Sequence, residues 1–341
     1  MTHSFILKTP KLEDYWRSII LFGRNVASYK FALAKSLLEL QPESGQLIKL
    51  EELAFVFSKH IALHLKSADK QGTFSSSRFL DACRKYNAEQ ISKEALIEQT
   101  ARYGFNNVID AFHVVGQRDI PKRFFIDERK KNGGILITDE FSKLLRQEQA
   151  INLPHEIEAR WRLVETAWEL GLSKSLVSID YDFETESLYS IDYTRRRKSV
   201  TGCREALNGY QKGKCFFCFT NIYLDEEKLE TEVDHFFPHK LKQVGFGPLI
   251  DGVWNLVLSC QECNRGIGGK SDRVPTLRLL ERLHRRNEFL ISSHHPLRDT
   301  LMRQTGNTIE QRGKFLNHFH GKVLSLLIHT WQPMEKSEPC F

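Results

Sequence analysis

The sequence predicts a mainly α-helical protein with a small α+β part, and three observations lead to this fold class. Apolar residues recur at three- and four-residue steps over much of the N-terminal half and again after residue 276, which is the spacing of amphipathic helices. Between these regions, short β-rich runs lie close to two CxxC pairs. We therefore expect a helical N-terminal region over residues 1–194, a small domain over 195–275, and a helical C-terminal region over 276–341 that ends in a short tail.

The individual elements follow from changes in the period of the apolar residues. Helices are predicted over residues 11–40, 44–66, 75–87, 92–103 and 105–115, with Ser or Asn near several of their starts as caps. The β-rich runs around Asn132, Gly133 and Gly134 predict a hairpin, because these residues tolerate the positive φ of a tight turn. A helix over 153–172 follows, and residues 177–193 are interpreted as strands or irregular structure. Helices return over 276–290 and 309–331.

The composition is typical of a globular protein without membrane spans. Of the 341 residues, 41% are hydrophobic and 27% are charged, and no apolar run approaches the roughly 20 residues that a spanning helix needs. The N-terminus, MTHSFILKTPKLEDYW, lacks the features of a secretion signal, so we expect a cytoplasmic protein and no membrane insertion. A net charge of +6 is compatible with a polyanionic partner but does not identify one.

Four of the seven cysteines form two CxxC pairs, Cys215 with Cys218 and Cys260 with Cys263. Two such pairs supply the four thiolates of a tetrahedral zinc site, and disulfides are rare in a reducing cytosol. The alternatives are a redox-active pair or unrelated buried cysteines, but neither pair has the βαβ setting of a redox motif. The sequence therefore predicts a structural zinc ion bound by these four residues. The other three cysteines, Cys83, Cys203 and Cys340, are interpreted as small core or surface residues.

The chain between the two pairs concentrates its polar residues in short runs. The run TEVDHFFPHK, residues 231–240, carries Glu232, Asp234, His235 and His239. DGVWNLVLS reads as a second extended segment, and CNRGIGGKSDR continues past the second pair toward a helix. If the four cysteines close on one metal ion, these runs belong to one small zinc-stapled unit.

These runs resemble a known nuclease motif. VDHFFP, followed by WNLVLSC and then by CQECNRGIGGKSD, looks like the HNH endonuclease motif with its ββα-metal fold, in the subgroup whose halves are stapled by four cysteines. The resemblance covers roughly residues 195–275. It implies an HNH nuclease domain that hydrolyses DNA phosphodiester bonds with a divalent metal ion, by nicking or by double-strand cleavage.

The resemblance also implies roles for four residues. Asp234 and Asn264 would bind the catalytic Mg²⁺ or Mn²⁺, and many family members have His in place of Asn264. His235 would be the general base, and Asn255 would hold the loop that orients it. These residue types suit the reaction, because an imidazole accepts a proton from water near neutral pH and oxygen ligands hold a hard cation. Since neighbours on a regular strand point to opposite faces, Asp234 and His235 are expected at a strand end or twist.

Basic residues around the motif are candidates for contacts with DNA phosphates. They are Arg195, Arg196, Arg197, Lys198, Arg204, Arg265, Lys270 and Arg273. The alternative for the arginines is a solvated basic face, and for Lys270 an exposed side chain in a glycine-rich turn. Glu232 and His239 are either auxiliary metal ligands or surface groups.

Two functions from different classes fit these patterns. The first is a DNA endonuclease with structural zinc and catalytic Mg²⁺ or Mn²⁺. Its long accessory region resembles those of nucleases in prokaryotic anti-phage defence, which implies antiviral defence and defence-system partners that bind the N-terminal region. The second is a zinc-knuckle nucleic-acid-binding protein whose nuclease motif is silent. Catalysis requires Asp234, His235, Asn255 and Asn264 together, whereas binding alone does not.

Overall fold

The computed structural model describes residues 11–22, 26–73, 76–115, 118–169, 179–182, 187–191, 197–224, 231–292 and 297–341. The chain divides into two compact units, which we call the N-terminal unit (Lys8–Gly171) and the C-terminal unit (Leu172–Phe341). The protein is mainly helical with several small sheets, as the sequence predicts. Among the described residues, no helix has both the length and the apolar character that crossing a membrane requires.

The N-terminal unit combines helices with two small antiparallel sheets. Its helices are α1 (Leu12–Phe22), α2 (Tyr29–Leu40), α3 (Leu50–Leu65), α4 (Arg78–Asn87), α5 (Lys93–Tyr103), α6 (Val108–Ala111), α7 (Arg129–Asn132), α8 (Asp139–Leu145) and α9 (Leu153–Glu169). Its strands are β1 (Leu47–Lys49), β2 (Val114–Val115), β3 (Arg118–Asp119), β4 (Phe125–Glu128) and β5 (Gly134–Ile137). One sheet has the order β1-β5-β4, and β2 pairs with β3.

Aromatic side chains fill the core of the N-terminal unit. Trp16 meets Phe112 and Phe124 edge-on, with ring centroids 5.7 and 5.1 Å apart. The buried His64 ring stacks on Trp161 at 3.5 Å, and its two nitrogens contact carboxylates of α9. His64 is therefore part of the core of this unit.

Three helix predictions in this unit are wrong in extent. The predicted helix over 11–40 is two helices, because Ala27 bridges to Gly72 and the amide of Ser28 donates to the carbonyl of Gln71. The predicted helix over 44–66 begins only at Leu50, because β1 pairs with β5. The helix over 105–115 is reduced to the single turn α6, followed by β2.

Other predictions are confirmed. Helices α4 and α5 begin after Ser77 and Ser92, whose side chains accept hydrogen bonds from backbone amides of the first turn. Strands β4 and β5 form the predicted hairpin, although the single helical turn α7 connects them. Gly133 ends this turn with φ of 64°, the left-handed region that glycine adopts without strain.

The C-terminal unit carries three small sheets among its helices. Its strands are β6 (Ile179–Asp182), β7 (Ser187–Ile191), β8 (Arg197–Gly202), β9 (Thr231–His235), β10 (Leu256–Cys260), β11 (Val274–Pro275) and β12 (Thr330–Trp331). Its helices are α10 (Cys203–Gln211), α11 (Gln261–Arg265), α12 (Leu277–Ser292), α13 (Arg298–Thr305) and α14 (Ile309–Leu326). Strands β6, β7 and β8 form an antiparallel sheet in that order, β9 pairs antiparallel with β10, and β11 pairs parallel with β12.

Along the chain, the division between the two units lies after Gly171. The domain boundary between residues 194 and 195 stays a prediction from the sequence. The strands predicted within 177–193 are present as β6 and β7. Because β7 pairs with β8, these two strands share a sheet with the first element of the predicted small domain.

Helix α14 ends earlier than predicted, at Leu326 rather than at residue 331. The amide of Val274 donates to the carbonyl of His329, which draws the following residues into strand β12. Beyond β12 the tail has neither helix nor strand, as expected. Glu335 in this tail forms ion pairs with Arg278 and Arg282 of α12.

Candidate metal centre and candidate active site

The four predicted zinc ligands lie together in the C-terminal unit. Their sulfur atoms are all within 4.8 Å of one another, and all four residues are buried as free thiols. The Sγ atoms of Cys218 and Cys260 are 3.8 Å apart. Tetrahedral zinc with Zn–S bonds of about 2.3 Å separates its sulfur ligands by about 3.8 Å. The buried cluster is therefore suited to hold a metal ion such as zinc.

The local backbone explains how the two CxxC pairs meet. In the first pair, the amide of Phe219 donates to the carbonyl of Cys215, and Phe219 itself adopts a positive φ of 61°. The second pair lies where β10 ends at Cys260 and α11 carries Cys263. The amide of Phe216 donates to the carbonyl of Leu258, which fixes the first pair against β10.

Asp234 and His235 lie on β9, Asn255 immediately precedes β10, and Asn264 lies on α11. The three elements follow one another in the order strand, strand, helix. In the antiparallel register, Asp234 lies opposite Val257 and His235 lies opposite Leu256. Since β9 ends at His235, the Asp-His pair is at a strand end, as expected. Helix α11 follows β10 directly and carries Asn264.

Asp234 is a buried carboxylate whose two oxygen atoms have different surroundings. Its Oδ1 atom is 3.1 Å from the ammonium group of Lys270, which is itself buried. Its Oδ2 atom is buried and has no hydrogen-bond partner among the described residues. Burial raises the pKa of Asp234 to about 6, although the charge of Lys270 acts in the opposite direction. A divalent cation at Oδ2 would satisfy this oxygen, so the site fits the predicted metal ion.

Asn264 reaches the same face of β9 through Glu232. The amide nitrogen of Asn264 donates to Glu232 Oε2 at 2.8 Å, and Arg265 pairs with the other oxygen at 2.6 Å. Residues 232 and 234 of a strand point to the same face, so Glu232 connects the neighbourhoods of Asn264 and Asp234. The structure therefore gives Glu232 a contact with a predicted metal ligand.

His235 faces a different set of residues from Asp234. Its Nε2 atom is 3.4 Å from Oδ1 of Asp251, and its ring is 5.0 Å from the ring of His239. Burial lowers the pKa of His235, and the hydrogen bond with Asp251 opposes this shift. A buried imidazole with a lowered pKa is neutral at pH 7 and is able to accept a proton.

Asn255 holds the chain that leaves β9. It is fully buried, and its Oδ1 accepts a hydrogen bond from the amide of Phe237 at 2.8 Å. Its Nδ2 donates to the carbonyls of Phe237 and Ile250 at 3.2 and 2.9 Å. These bonds join the loop after His235 to the segment before Asn255.

The predicted DNA-contacting residues have varied surroundings. Arg195 and Arg196 lie outside the described residues, and Arg197 and Lys198 belong to strand β8. Lys270 is buried beside Asp234 and is therefore not the exposed side chain of the alternative interpretation.

The three remaining candidates differ in exposure. Arg273 donates to the carbonyls of Gly268 and Gly269 within the loop after α11. Arg204 is half-buried in α10. The side chain of Arg265 is 66% exposed, so it combines its contact with Glu232 with access to solvent.

The sequence analysis missed three residues that support the site. Asp251 lies beside His235, and no motif position marks it. Arg282 donates to the carbonyls of Phe216 and Phe217 in the first CxxC pair, at 2.7 and 2.9 Å. Arg286 donates to Leu256 O at 2.6 Å and to Trp254 O at 3.2 Å. The spacing of the two arginines, one helical turn apart, is the only signal in the sequence that they share a face of α12.

Replacing Arg286 by Met is expected to lower the free energy of unfolding by about 3 kcal/mol, because buried carbonyls lose a charged donor. Burial lowers the pKa of Arg286 to about 10, which shows how far its charge is removed from water. The neighbouring Arg285 is exposed, so Arg285→Met is the matched control. Urea unfolding of the zinc-loaded variants measures both values, and equal stability of the two would contradict this role.

We compared the chain with known proteins in three ways. A scan against protein-family models, a search of curated proteins and a search of solved structures each gave no match. The function is therefore argued from the chemistry of the site.

Proposed function

We propose that the protein is a metal-dependent endonuclease of the HNH type that hydrolyses DNA phosphodiester bonds. The observation that carries this proposal is the buried Oδ2 atom of Asp234, which has no hydrogen-bond partner in the described part of the chain. This oxygen lies one residue from the buried imidazole of His235. Burying a carboxylate without full compensation is unfavourable, and such groups are frequent at functional sites.

Each motif residue has a distinct role in the proposed reaction. Asp234 and Asn264 would hold Mg²⁺ or Mn²⁺, which would supply Lewis-acid stabilisation of negative charge on the phosphate. His235 accepts the proton of the attacking water, and Asn255 fixes the loop that positions His235. Lys270 balances the charge of Asp234 before the metal ion binds.

The arginines near the site would contact the DNA backbone. Arg265 is the most exposed of those whose side chains the structure describes. Phosphate contacts position the strand without reading its sequence. We extend the proposal to antiviral defence, with the N-terminal unit as the place where other defence proteins bind, on the resemblance to stand-alone HNH nucleases with long accessory regions.

The second candidate is a zinc-knuckle nucleic-acid-binding protein with a silent nuclease motif. The four-cysteine cluster favours it as much as it favours the nuclease. A binding protein, however, gains nothing from a buried carboxylate that faces no hydrogen-bond donor at one oxygen. The state of Asp234 therefore favours the enzyme.

A plasmid assay tests the proposal. With Mg²⁺ or Mn²⁺, the wild-type protein is expected to convert supercoiled DNA to nicked or linear forms, and EDTA is expected to stop the reaction. Asp234→Asn is expected to lower the rate at least about 100-fold, because the charged metal ligand is lost. Asp272→Asn is the matched control, since the side chain of this aspartate is 63% exposed and forms a surface ion pair with Lys240. If the wild-type protein binds DNA but leaves the plasmid intact at every concentration of Mg²⁺ or Mn²⁺, the result would favour the binding protein with a silent nuclease motif.

A further inference from the structure

His235 also belongs to a second group of side chains that could bind a metal ion. His235, His239 and Asp251 each offer one ligand atom, and these three atoms all lie within 4.8 Å of one another. The resemblance to HNH nucleases does not include this group, and the sequence left His239 as a surface group or auxiliary ligand. Asp234, the preceding residue of strand β9, is not part of this group, and its Oδ1 atom pairs with Lys270.

The two distances from Asp251 to the histidines are those of a tetrahedral metal ion. Asp251 Oδ1 is 3.4 Å from His235 Nε2 and 3.5 Å from His239 Nε2. A tetrahedral ion with bonds of about 2.0–2.1 Å to nitrogen and oxygen separates its ligands by about 3.3–3.4 Å. An octahedral Mg²⁺ ion at about 2.0–2.1 Å would need ligands about 2.9 Å apart and prefers oxygen to imidazole.

The surroundings of the group also suit a metal ion. Lys242 binds Oδ2 of Asp251 at 2.5 Å, which fixes the carboxylate and leaves Oδ1 directed toward the two histidines. The exposed fraction of the side chain rises from 5% for His235 to 18% for Asp251 and 39% for His239. His239 is therefore the member of the group that is most accessible to an ion from solvent.

We propose that His235, His239 and Asp251 form a binding site for a tetrahedral transition-metal ion, with Zn²⁺ as the best fit, and that its occupation inhibits the nuclease. The inhibitory part rests on the proposed function. A metal ion at Nε2 occupies one lone pair of His235 and keeps the ring proton on Nδ1. The imidazole then has no nitrogen left to accept a proton from water. His235 then no longer acts as the general base, while Asp234 and Asn264 remain available to bind the catalytic metal ion.

Metal binding is measured first, because it does not depend on activity. Protein whose four-cysteine site is filled with zinc is dialysed against Co²⁺, and both metals are counted by mass spectrometry. Beyond any ion held by Asp234 and Asn264, we expect about one Co²⁺ per chain, with the visible spectrum of tetrahedral nitrogen and oxygen ligation rather than thiolate ligation. His239→Gln and Asp251→Asn are each expected to weaken Co²⁺ binding about 100-fold, since loss of even an outer-shell partner costs 10–100-fold.

The exposed His318 provides the matched control, and His318→Gln is expected to bind Co²⁺ as the wild type does. No Co²⁺ bound beyond the cysteine site would overturn the proposal. Equal binding by the wild type, His239→Gln and Asp251→Asn would overturn it as well, because the ion would then lie elsewhere.

The inhibitory part is tested in the plasmid assay. Zn²⁺ added to the Mg²⁺-supported reaction is expected to inhibit wild-type nicking over the concentrations that fill the site. For His239→Gln, half-inhibition relative to that variant's own rate is expected at about 100-fold more Zn²⁺. Equal inhibition of both proteins would refute the inhibitory role. A wild-type protein that never nicks would defeat the proposed function and the inhibition together, whereas Co²⁺ binding decides the metal site by itself.

Discussion

Replacing His235 by Ala is expected to lower the rate of plasmid nicking by about 1,000-fold, because general-base catalysis contributes about 10²–10⁴-fold to such reactions. The wild-type imidazole is buried at the end of β9, and its pKa is lowered, so it is neutral and ready to accept a proton at pH 7. The alanine variant has no group in this position that takes the proton from water. Initial rates on supercoiled plasmid at saturating Mg²⁺ measure the loss.

Two controls separate a missing base from a damaged fold. His318→Ala removes an exposed histidine of the same unit and is expected to leave the rate unchanged. Added imidazole is expected to restore part of the activity of His235→Ala, because a small base from solution occupies the space of the ring. Full activity of His235→Ala, with zinc content and thermal midpoint unchanged, would show that His235 is not the base.

The zinc cluster and the order of the motif elements could be predicted from the sequence because they depend on local spacing. Each CxxC pair fixes two thiols on one turn, and two pairs leave few arrangements other than a shared metal ion. The resemblance requires Asp234 and His235 to face one site, so the alternation of side chains predicted a strand end or twist, and β9 ends at His235. The four thiols meet as the spacing predicts.

The position of Asp251 could not be predicted, since it depends on how a long connection folds. Residues 239–251 form 3₁₀ helices between β9 and β10, and they return the chain so that Asp251 lies beside His235. No sequence pattern fixes the path of such a segment. Asn255 closes this path with hydrogen bonds to Phe237 and Ile250, and these are tertiary contacts.

The helix ends were mispredicted for a similar reason. Periodicity continued through residues 23–28 and 44–49, but strand pairing with distant segments was stronger than local helix propensity. The burial of Lys270 was also not predictable from its charge. A lysine in a glycine-rich turn is normally solvated, yet here it is buried because it pairs with the carboxylate of Asp234.

Replacing Cys263 or Cys218 by Ser is expected to remove the bound zinc and to unfold much of the C-terminal unit. Wild-type protein is expected to contain about one tightly held zinc ion per chain. Structural zinc sites contribute about 10–16 kcal/mol of apparent binding free energy at pH 7, which is comparable to the whole stability of a domain. Loss of one thiolate also leaves three buried thiols without the metal that joins them.

The connections of the cluster explain why the effect extends beyond the cysteines. Cys260 is the last residue of β10, which pairs with the strand of Asp234 and His235, and Cys263 lies in the helix that carries Asn264. The cluster therefore holds two elements that border the candidate active site. The carbonyl of Cys218 also accepts a hydrogen bond from the amide of Lys336 in the C-terminal tail. Metal analysis, circular dichroism and limited proteolysis measure the change. We expect protease-resistant fragments of the N-terminal unit alone, because it has a core of its own.

Cys340→Ser is the matched control, because this half-buried cysteine lies outside the cluster. It is expected to keep its zinc and its thermal midpoint. The nicking rate of the two cluster variants should fall with their zinc content, since β10 and α11 lose the contact that holds them together. A wild-type protein that contains no metal after mild purification, and whose melting is the same with and without added zinc, would show that the four thiols pack together without binding an ion.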